Sequence, residues 1–214
     1  VETLREIKGT PRNQAFAVAY ADAQTAMAAF DDVTKGMERL ASRWLPGPLT
    51  LVGLTAGAWT GVRVPDHALI KAICEHLGGP LVLTSANRHG SPTPATAYEA
   101  ATALDDPRVH LLDGESGEGR PSTVVRAAAG RLQILREGAI PSEEVRRVHG
   151  RRLLFVCTGN TCRSPMAAAA ARRLLSEALG IKPGRLKSLG YVATSAGMEG
   201  EGNAPMSKEA LGAL

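Results

Sequence analysis

Two thiols and a guanidinium fall close together in FVCTGNTCRSPMA, residues 155 to 167. Residues of these types at this spacing can do nucleophilic chemistry on an oxyanion. A loop joining a strand to a helix N-terminus aims several backbone N–H groups at one spot, where the helix dipole also favours negative charge. The same field would ionise Cys157 at the edge of that loop and make it a nucleophile near neutral pH. Arg163 offers a planar fork to two phosphate oxygens, a geometry lysine does not reproduce. Thr158, Gly159, Asn160, Thr161 and Cys162 form the loop itself. Gly159 suits a tight turn, and Asn160 suits a left-handed conformation or a hydrogen bond across the loop. Ser164 lies where its hydroxyl could donate to the Cys157 thiolate. Two other readings compete, a structural cysteine pair and a zinc site. The four residues between the cysteines and the lack of a partnering His or Cys cluster speak against zinc, and no metal is expected.

The elements that must hold this loop are legible on either side of it. RRLLFVCT reads as a fully buried strand, because four consecutive apolar residues follow the arginines. Residues 165 to 180 read as a helix with Pro165 in its first turn and Gly180 as its stop. YVATSAG gives a second short strand and a second helix opens near Pro205, which together begin a parallel, doubly wound sheet. Before residue 145, β-like runs (FAVAY, LTLVGL, TGVRVP, LVLTSA, RLQILR) alternate with helical stretches at 22–30, 34–43, 66–77 and 95–103. That alternation is the pattern of an α/β layer fold.

Composition narrows the setting. A chain of 214 residues with 44% apolar content can bury one large core or two modest ones. Its apolar runs are too short for a membrane span and no signal segment precedes them, so a soluble, cytoplasmic protein without a membrane partner is expected. Three cysteines do not make a disulfide scaffold, and Cys74 falls on the apolar face of a helix pattern as a core residue. The net charge of +4 is only a weak pull on anionic partners. Arg146, Arg147, Arg151 and Arg152 cluster around VRRVHGRRL, and residues 141–151 are read as a solvated basic linker or as an aid in holding a phosphate-bearing partner.

The Cys157-x5-Arg163 spacing, with Gly-Asn before the second cysteine and Arg-Ser-Pro after it, resembles the low-molecular-weight protein tyrosine phosphatases. That family includes arsenate reductases and protein arginine phosphatases. The resemblance covers residues 152–214 and implies a Rossmann-like parallel-sheet phosphatase domain with no cofactor and a phosphorylated protein as substrate. It implies Cys157, Arg163 and Ser164 as catalytic residues and Cys162 as a thiol that pairs reversibly with the nucleophile. Thr161 resembles the arginine phosphatases, whose hydroxyl there would accept from a guanidinium. Phosphoarginine, phosphotyrosine and arsenate stay open. The family's general-acid aspartate lies farther along than Leu214, so a truncated domain with impaired turnover is expected.

Six segments before residue 140, IKGTP, LPGPLTLV, VRVPDH, PLVLTSANRHGSPTP, GRPSTVV and ILREGAIP, are each ordinary loop chemistry alone. In this order they resemble the Sua5/YrdC/YciO family of threonylcarbamoyl-adenylate synthases. The resemblance implies a YrdC-like α/β domain over residues 1–140 that uses threonine, bicarbonate and ATP, with Mg2+ accompanying the ATP, and an indirect link to tRNA. It implies Lys8 on a phosphate or the carbonyl-bearing intermediate and Arg63 with Thr84 on threonine. Ser85, Ala86 and Asn87 would line the nucleotide, Ser122 would sit against the substrate and Arg136 would reach a phosphate. Such a cavity of cations and hydroxyl donors suits triphosphate and a reacting carboxylate. The family's K-x-R arginine is Thr10 here, with Arg12 two residues on, and its opening strand and threonine-binding segment are not in the chain. The expectation is a bifunctional enzyme with both domains truncated. The alternative is a non-catalytic nucleotide- or RNA-binding module joined to an arsenate reductase-like enzyme.

Overall fold

A computed structural model describes residues 1–112, 120–128, 131–199 and 205–212 of the 214-residue chain. The fold is α/β. The chain opens with α1 (Glu2–Lys8), continues through β1 (Ala17–Ala19), α2 (Ala23–Ala28) and α3 (Lys35–Trp44), and then makes the hairpin β2 (Leu49–Thr55) and β3 (Ala58–Arg63). Next come α4 (Ala68–Leu77), β4 (Leu81–Leu83), α5 (Ala97–Leu104), β5 (Thr123–Ala128), β6 (Arg131–Arg136) and α6 (Ser142–His149). The six strands form one mixed sheet in the order β4-β1-β3-β2-β5-β6, with β1–β3 and β2–β5 parallel and the other pairs antiparallel.

Local sequence explains half of these helix starts. Asp22, Thr34 and Thr96 cap α2, α3 and α5, each side-chain oxygen accepting from the backbone N–H three residues on. In α3 the buried residues Gly36, Met37, Leu40 and Ala41 share one face, as helical spacing requires. In β5 every second residue, Thr123, Val125 and Ala127, is buried, the period of a strand covered on one side. The main core forms where α3 and Val145 of α6 meet Leu49, Leu51, Val62, Val64, Val125 and Ala127 of the sheet region.

Three sequence expectations are corrected. IKGTP begins inside a helix, α1, whose seven residues ETLREIK make about two turns before Gly9, at φ +66°, ends it. GRPSTVV is more than a turn: Thr123 onward is β5, a strand short enough to hide among proline and serine, while Gly119 lies outside the described residues. The expected solvated linker 141–151 contains α6, which packs on α3 with Val145 and His149 buried; its arginines occupy the other face. A helix with one apolar side and a charged remainder looks like a charge run in sequence.

The C-terminal region consists of β7 (Arg152–Cys157), α7 (Arg163–Ala178), two 3-10 turns at Pro183–Arg185 and Lys187–Leu189, β8 (Val192–Gly197) and α8 (Lys208–Gly212). β7 and β8 pair in parallel across the α7 crossover, as a doubly wound start requires. The strand is not fully buried as expected: Leu154 is 63% and Val156 52% exposed. With two strands and α7 as the main helical cover, one sheet face stays open among the described residues.

The two regions meet at a tight junction. Gly190, at φ +85°, lies so close to the Arg146 carbonyl that a Cβ would overlap it, and Gly150 lies equally close to Gly190. The buried His149 ring donates from Nδ1 to the Leu189 carbonyl at 3.2 Å, and Arg39 donates to the Val148 and His149 carbonyls. Among the described residues no helix is long and apolar enough to cross a membrane.

Candidate functional site

The loop from Cys157 to Ser164 closes on itself through one hydroxyl. Cys157 ends β7 and Arg163 starts α7, so the strand delivers the thiol to the N-terminus of a helix 16 residues long. Ser164 Oγ lies 2.9 Å from Cys157 Sγ, 2.9 Å from Asn160 Oδ1 and 3.3 Å from the Ala196 carbonyl. The Asn160 N–H also points at Sγ, at 3.3 Å. Asn160 adopts the left-handed conformation at φ +53°, as its residue type suggested. A serine hydroxyl has one proton. Ionising Cys157 turns Sγ into the strongest of its three acceptors, and the thiolate gains a donor that the thiol does not need.

These contacts bring the Cys157 pKa down to about 7. The Ser164 hydroxyl is the largest cause, followed by the Ser164 N–H and the Asn160 N–H, with the charge of Arg163 contributing least and desolvation opposing. The sequence reading assigned the effect to the helix field; the structure gives the larger share to specific hydrogen bonds. Arg163 is exposed, Thr158 is exposed, and Gly159 and Thr161 are half-buried. Cys162 is exposed and free, while Cys74 is buried with its Sγ against the Ala19 carbonyl at 3.7 Å.

The end of β8 holds the loop from behind. The Met198 and Glu199 N–H groups donate to the carbonyls of Cys157 and Thr158, and the Ser207 N–H donates to Thr161. Gly197 lets the loop pack closely at this contact, because a Cβ there would come within 3.1 Å of Asn160 and 3.0 Å of the Thr158 carbonyl and push the loop back by a few tenths of an ångström. No signal inside the loop identifies these supports.

The residues expected to bind ATP and threonine form two groups. Lys8, Thr84, Ser85 and Asn87 line one polar cavity of about 240 Å³, together with Thr10, Gln14, Phe16, His89 and Gly90. Ala86 sits on the same loop with an exposed side chain. Thr10 is 7% exposed and its hydroxyl has no hydrogen-bond partner. Burial lowers the pKa of Lys8.

Arg63, Ser122 and Arg136 form the second group and are not part of that lining, whereas Thr84 is. Arg136 donates from Nε and Nη2 to the Ser122 carbonyl, at 3.2 and 2.8 Å, and from Nη2 to Ser122 Oγ at 3.2 Å. The Arg63 pKa is lowered, first by burial and then by the charge of Arg136, and its Nε has no partner. No acidic residue occurs in β2, β3, β5 or β6 to offset these charges. Two guanidiniums that repel one another, with no ion pair to either among the described residues, suit an anion. Thr50, missed in the sequence, supports this group: its hydroxyl is 2.8 Å from Ser122 Oγ and it is buried in β2. A hydroxyl inside the apolar run LTLVGL was the available signal.

Comparison with known proteins divides the chain at the same place. The Sua5/YciO/YrdC family profile, described as telomere recombination, matches residues 1–138. A second profile, low molecular weight phosphotyrosine protein phosphatase, matches residues 152–214. The threonylcarbamoyl-AMP synthase of Bacillus subtilis is 32% identical over 166 residues, covering 70% of this chain and 47% of that protein. The enzyme of the same name from Pyrococcus abyssi is 30% identical over 161 residues, with the same two shares, 70% and 47%. The chain thus spans about half the length of these curated relatives. In fold it is similar to P. abyssi Sua5 complexed with L-threonine, with TM-score 0.61, 22% identity, and 82% of this chain and 62% of that one covered. It is also similar to E. coli YciO, with TM-score 0.56, 24% identity, and 65% and 73% covered.

Proposed function

Because the chain belongs to the Sua5/YciO/YrdC family through residues 1–138 and carries part of a low-molecular-weight phosphatase domain at 152–214, we propose that it is bifunctional. Residues 1–140 form a threonylcarbamoyl-AMP synthase region, α6 within 141–151 joins it to the second, and residues 152–214 belong to a cysteine-dependent protein phosphatase. In the first reaction the threonine amine and bicarbonate give a carbamate with loss of water. The carbamate oxygen then attacks the α-phosphorus of ATP and pyrophosphate leaves. The product serves the formation of threonylcarbamoyladenosine in tRNA, so the link to tRNA is indirect.

What supports the synthase reading is the pair Arg63 and Arg136, of which Arg136 is bonded to Ser122 and neither forms an ion pair among the described residues, and a polar cavity at Lys8 and residues 84–87. Arg63, Thr84, Ser85, Ala86, Asn87, Ser122 and Arg136 are the proposed contacts to ATP and threonine, and Lys8 lines the same site. Among the described residues no group of three His, Cys, Asp or Glu converges, and the cavity lining holds no carboxylate. The side chains present do not themselves fit Mg2+, which would arrive bound to ATP phosphate oxygens.

For the second activity the carrying observation is the Cys157 thiol at about 7, ionised by Ser164. Cys157 Sγ attacks phosphorus, the bond to the leaving group breaks, and Arg163 with the loop N–H groups takes up the charge on the phosphoryl oxygens. Water then attacks the phosphocysteine, releasing phosphate and restoring the thiolate. Phosphorylated protein is the substrate, with phosphoarginine favoured over phosphotyrosine by the Thr161 hydroxyl.

Isotope exchange between pyrophosphate and ATP tests the first half. We expect exchange that requires both threonine and bicarbonate and is lost in Arg136→Ala. Ligand binding without exchange would instead favour a binding module, the reading that the uncharged, buried Thr10 supports. Cys157→Ser is expected to end phosphatase activity, and retained turnover would remove the phosphocysteine route.

A further inference from the structure

Lys8, the last residue of α1, holds the 84–91 loop through both its carbonyl and its ammonium. Its carbonyl accepts from the His89 N–H at 2.8 Å. Its Nζ donates to the Ser85 carbonyl at 2.5 Å and to the Asn87 carbonyl, and lies 3.5 Å from Asn87 Oδ1. The loop is pinned further along as well. Asn87 Nδ2 donates to the Arg88 and Ser91 carbonyls, and the Arg88 guanidinium donates to the carbonyls of Ala103 and Leu104 at the end of α5.

An ammonium has three protons, and three protein acceptors converge on this one. With 5% of the residue exposed, these acceptors take up the ammonium's donor capacity. A phosphate oxygen could gain a proton from Nζ only by displacing a loop carbonyl, leaving a buried acceptor unpaired, which is costly. We propose that Lys8 is a positioning residue that clasps the 84–91 loop in its ligand-ready shape before any ligand arrives, rather than a contact to phosphate. Burial, which lowers the lysine pKa, does not prevent this, because the ammonium keeps three acceptors. Residues 77 to 79 positions apart in sequence are thereby ordered in advance, so the ligand does not have to order them. The inference rests on the proposed function only in taking Ser85 and Asn87 to line the nucleotide and threonine site.

Hydrogen exchange on the ligand-free chain, with calorimetric titration of ATP and of threonine, tests it. In Lys8→Met, amides of residues 87 to 91 should exchange at least about tenfold faster while those of β2 and β5 keep their protection. Affinities for ATP and threonine should fall by similar factors, and the salt dependence of ATP binding should stay as in the parent. Lys8→Gln, which keeps a shorter donor, should show a smaller loss of both kinds and supplies the same readout if Lys8→Met does not fold. Unchanged loop exchange, with ATP affinity alone reduced and its salt dependence flattened, would overturn the clasp and identify a phosphate contact. Faster exchange spread equally over β2 and β5, or a loosened loop with both affinities intact, would overturn it too. If the parent bound neither ligand, the synthase reading would fall while the exchange data still decided what Lys8 holds.

Discussion

In the first region Arg63, Ser122 and Arg136 sit in or beside a six-stranded sheet backed by α3 and α6, whereas Cys157 ends a strand with one partner and one principal covering helix. The slighter scaffold carries the more tightly specified site. Sγ, Ser164 Oγ, Asn160 and the loop backbone lie within eight residues and fix one another by short-range hydrogen bonds, with the end of β8 behind them. The first region assembles its cavity from Lys8 and residues 84–90, and its arginine pair from β3 and β6. Chemistry held in one contiguous loop needs little sheet to order it. Chemistry gathered across the chain takes its geometry from the whole core, because long loops must be closed before the contacts form.

The largest expected contrast is in stability. Leu51→Ala, at a fully buried position of β2, should cost about 2–5 kcal/mol, whereas Leu154→Ala on the open face of β7 should stay within about 0.5 kcal/mol. Urea unfolding of both variants measures it, and equal costs would abolish the distinction between the two scaffolds.

Next comes the thiol. With a pKa of about 7, alkylation of Cys157 by iodoacetamide should rise as pH passes through 7, since the thiolate forms above that value. At pH 6 its thiolate fraction should be roughly thirtyfold that of an ordinary cysteine of pKa about 8.5. That leaves a rate advantage of roughly five- to tenfold once the weaker nucleophilicity of the more acidic thiol is counted, and Ser164→Ala should remove most of it. A parent profile centred near 8.5 would mean that the loop does not order the thiol by itself. A smaller effect is expected at the loop mouth. Thr161→Ile should lower kcat/KM for phosphoarginine relative to phosphotyrosine peptides by about tenfold or less, as one hydrogen bond at a substrate allows. An unchanged ratio would leave Thr161 a purely structural residue.

The smallest effect lies at the junction of the two regions. Burial lowers the His149 pKa, partly offset by the Leu189 carbonyl, and the Arg39 charge adds to the lowering. The folded imidazole therefore resists a proton that the unfolded one accepts near pH 6.5. As pH falls below that value the unfolded state binds more protons and stability declines. Replacing His149 with Gln should flatten this acid slope in a thermal unfolding series; an unaltered slope would assign it to other groups.

The anion loop was legible because its residues are contiguous, and the strand and helix around it are short-range patterns. Read in sequence, the helix starts at Asp22, Thr34 and Thr96 follow from a side-chain oxygen placed before a helical apolar face. α6 was hidden because Ser-Glu-Glu-Val-Arg-Arg-Val-His shows a few apolar residues among charges, and only the neighbouring face of α3 reveals which side of it is inner. The burial of β7 was misjudged for the converse reason, since an apolar run states that a strand could be covered and not what covers it.

Residue types and spacing by themselves indicated that Cys157 faces a helix N-terminus, that Asn160 suits a left-handed turn or a hydrogen bond across the loop, and that a hydroxyl stands beside the thiol. Each is decided by bonds between residues a few positions apart. Only the tertiary structure decided that Ser164 outweighs Arg163 in ionising the thiol, that Thr50 sits against Ser122, and that the Lys8 ammonium is enclosed by loop carbonyls. The energy of a charge depends on the distance and burial of every partner, and those quantities exist only after distant segments have packed.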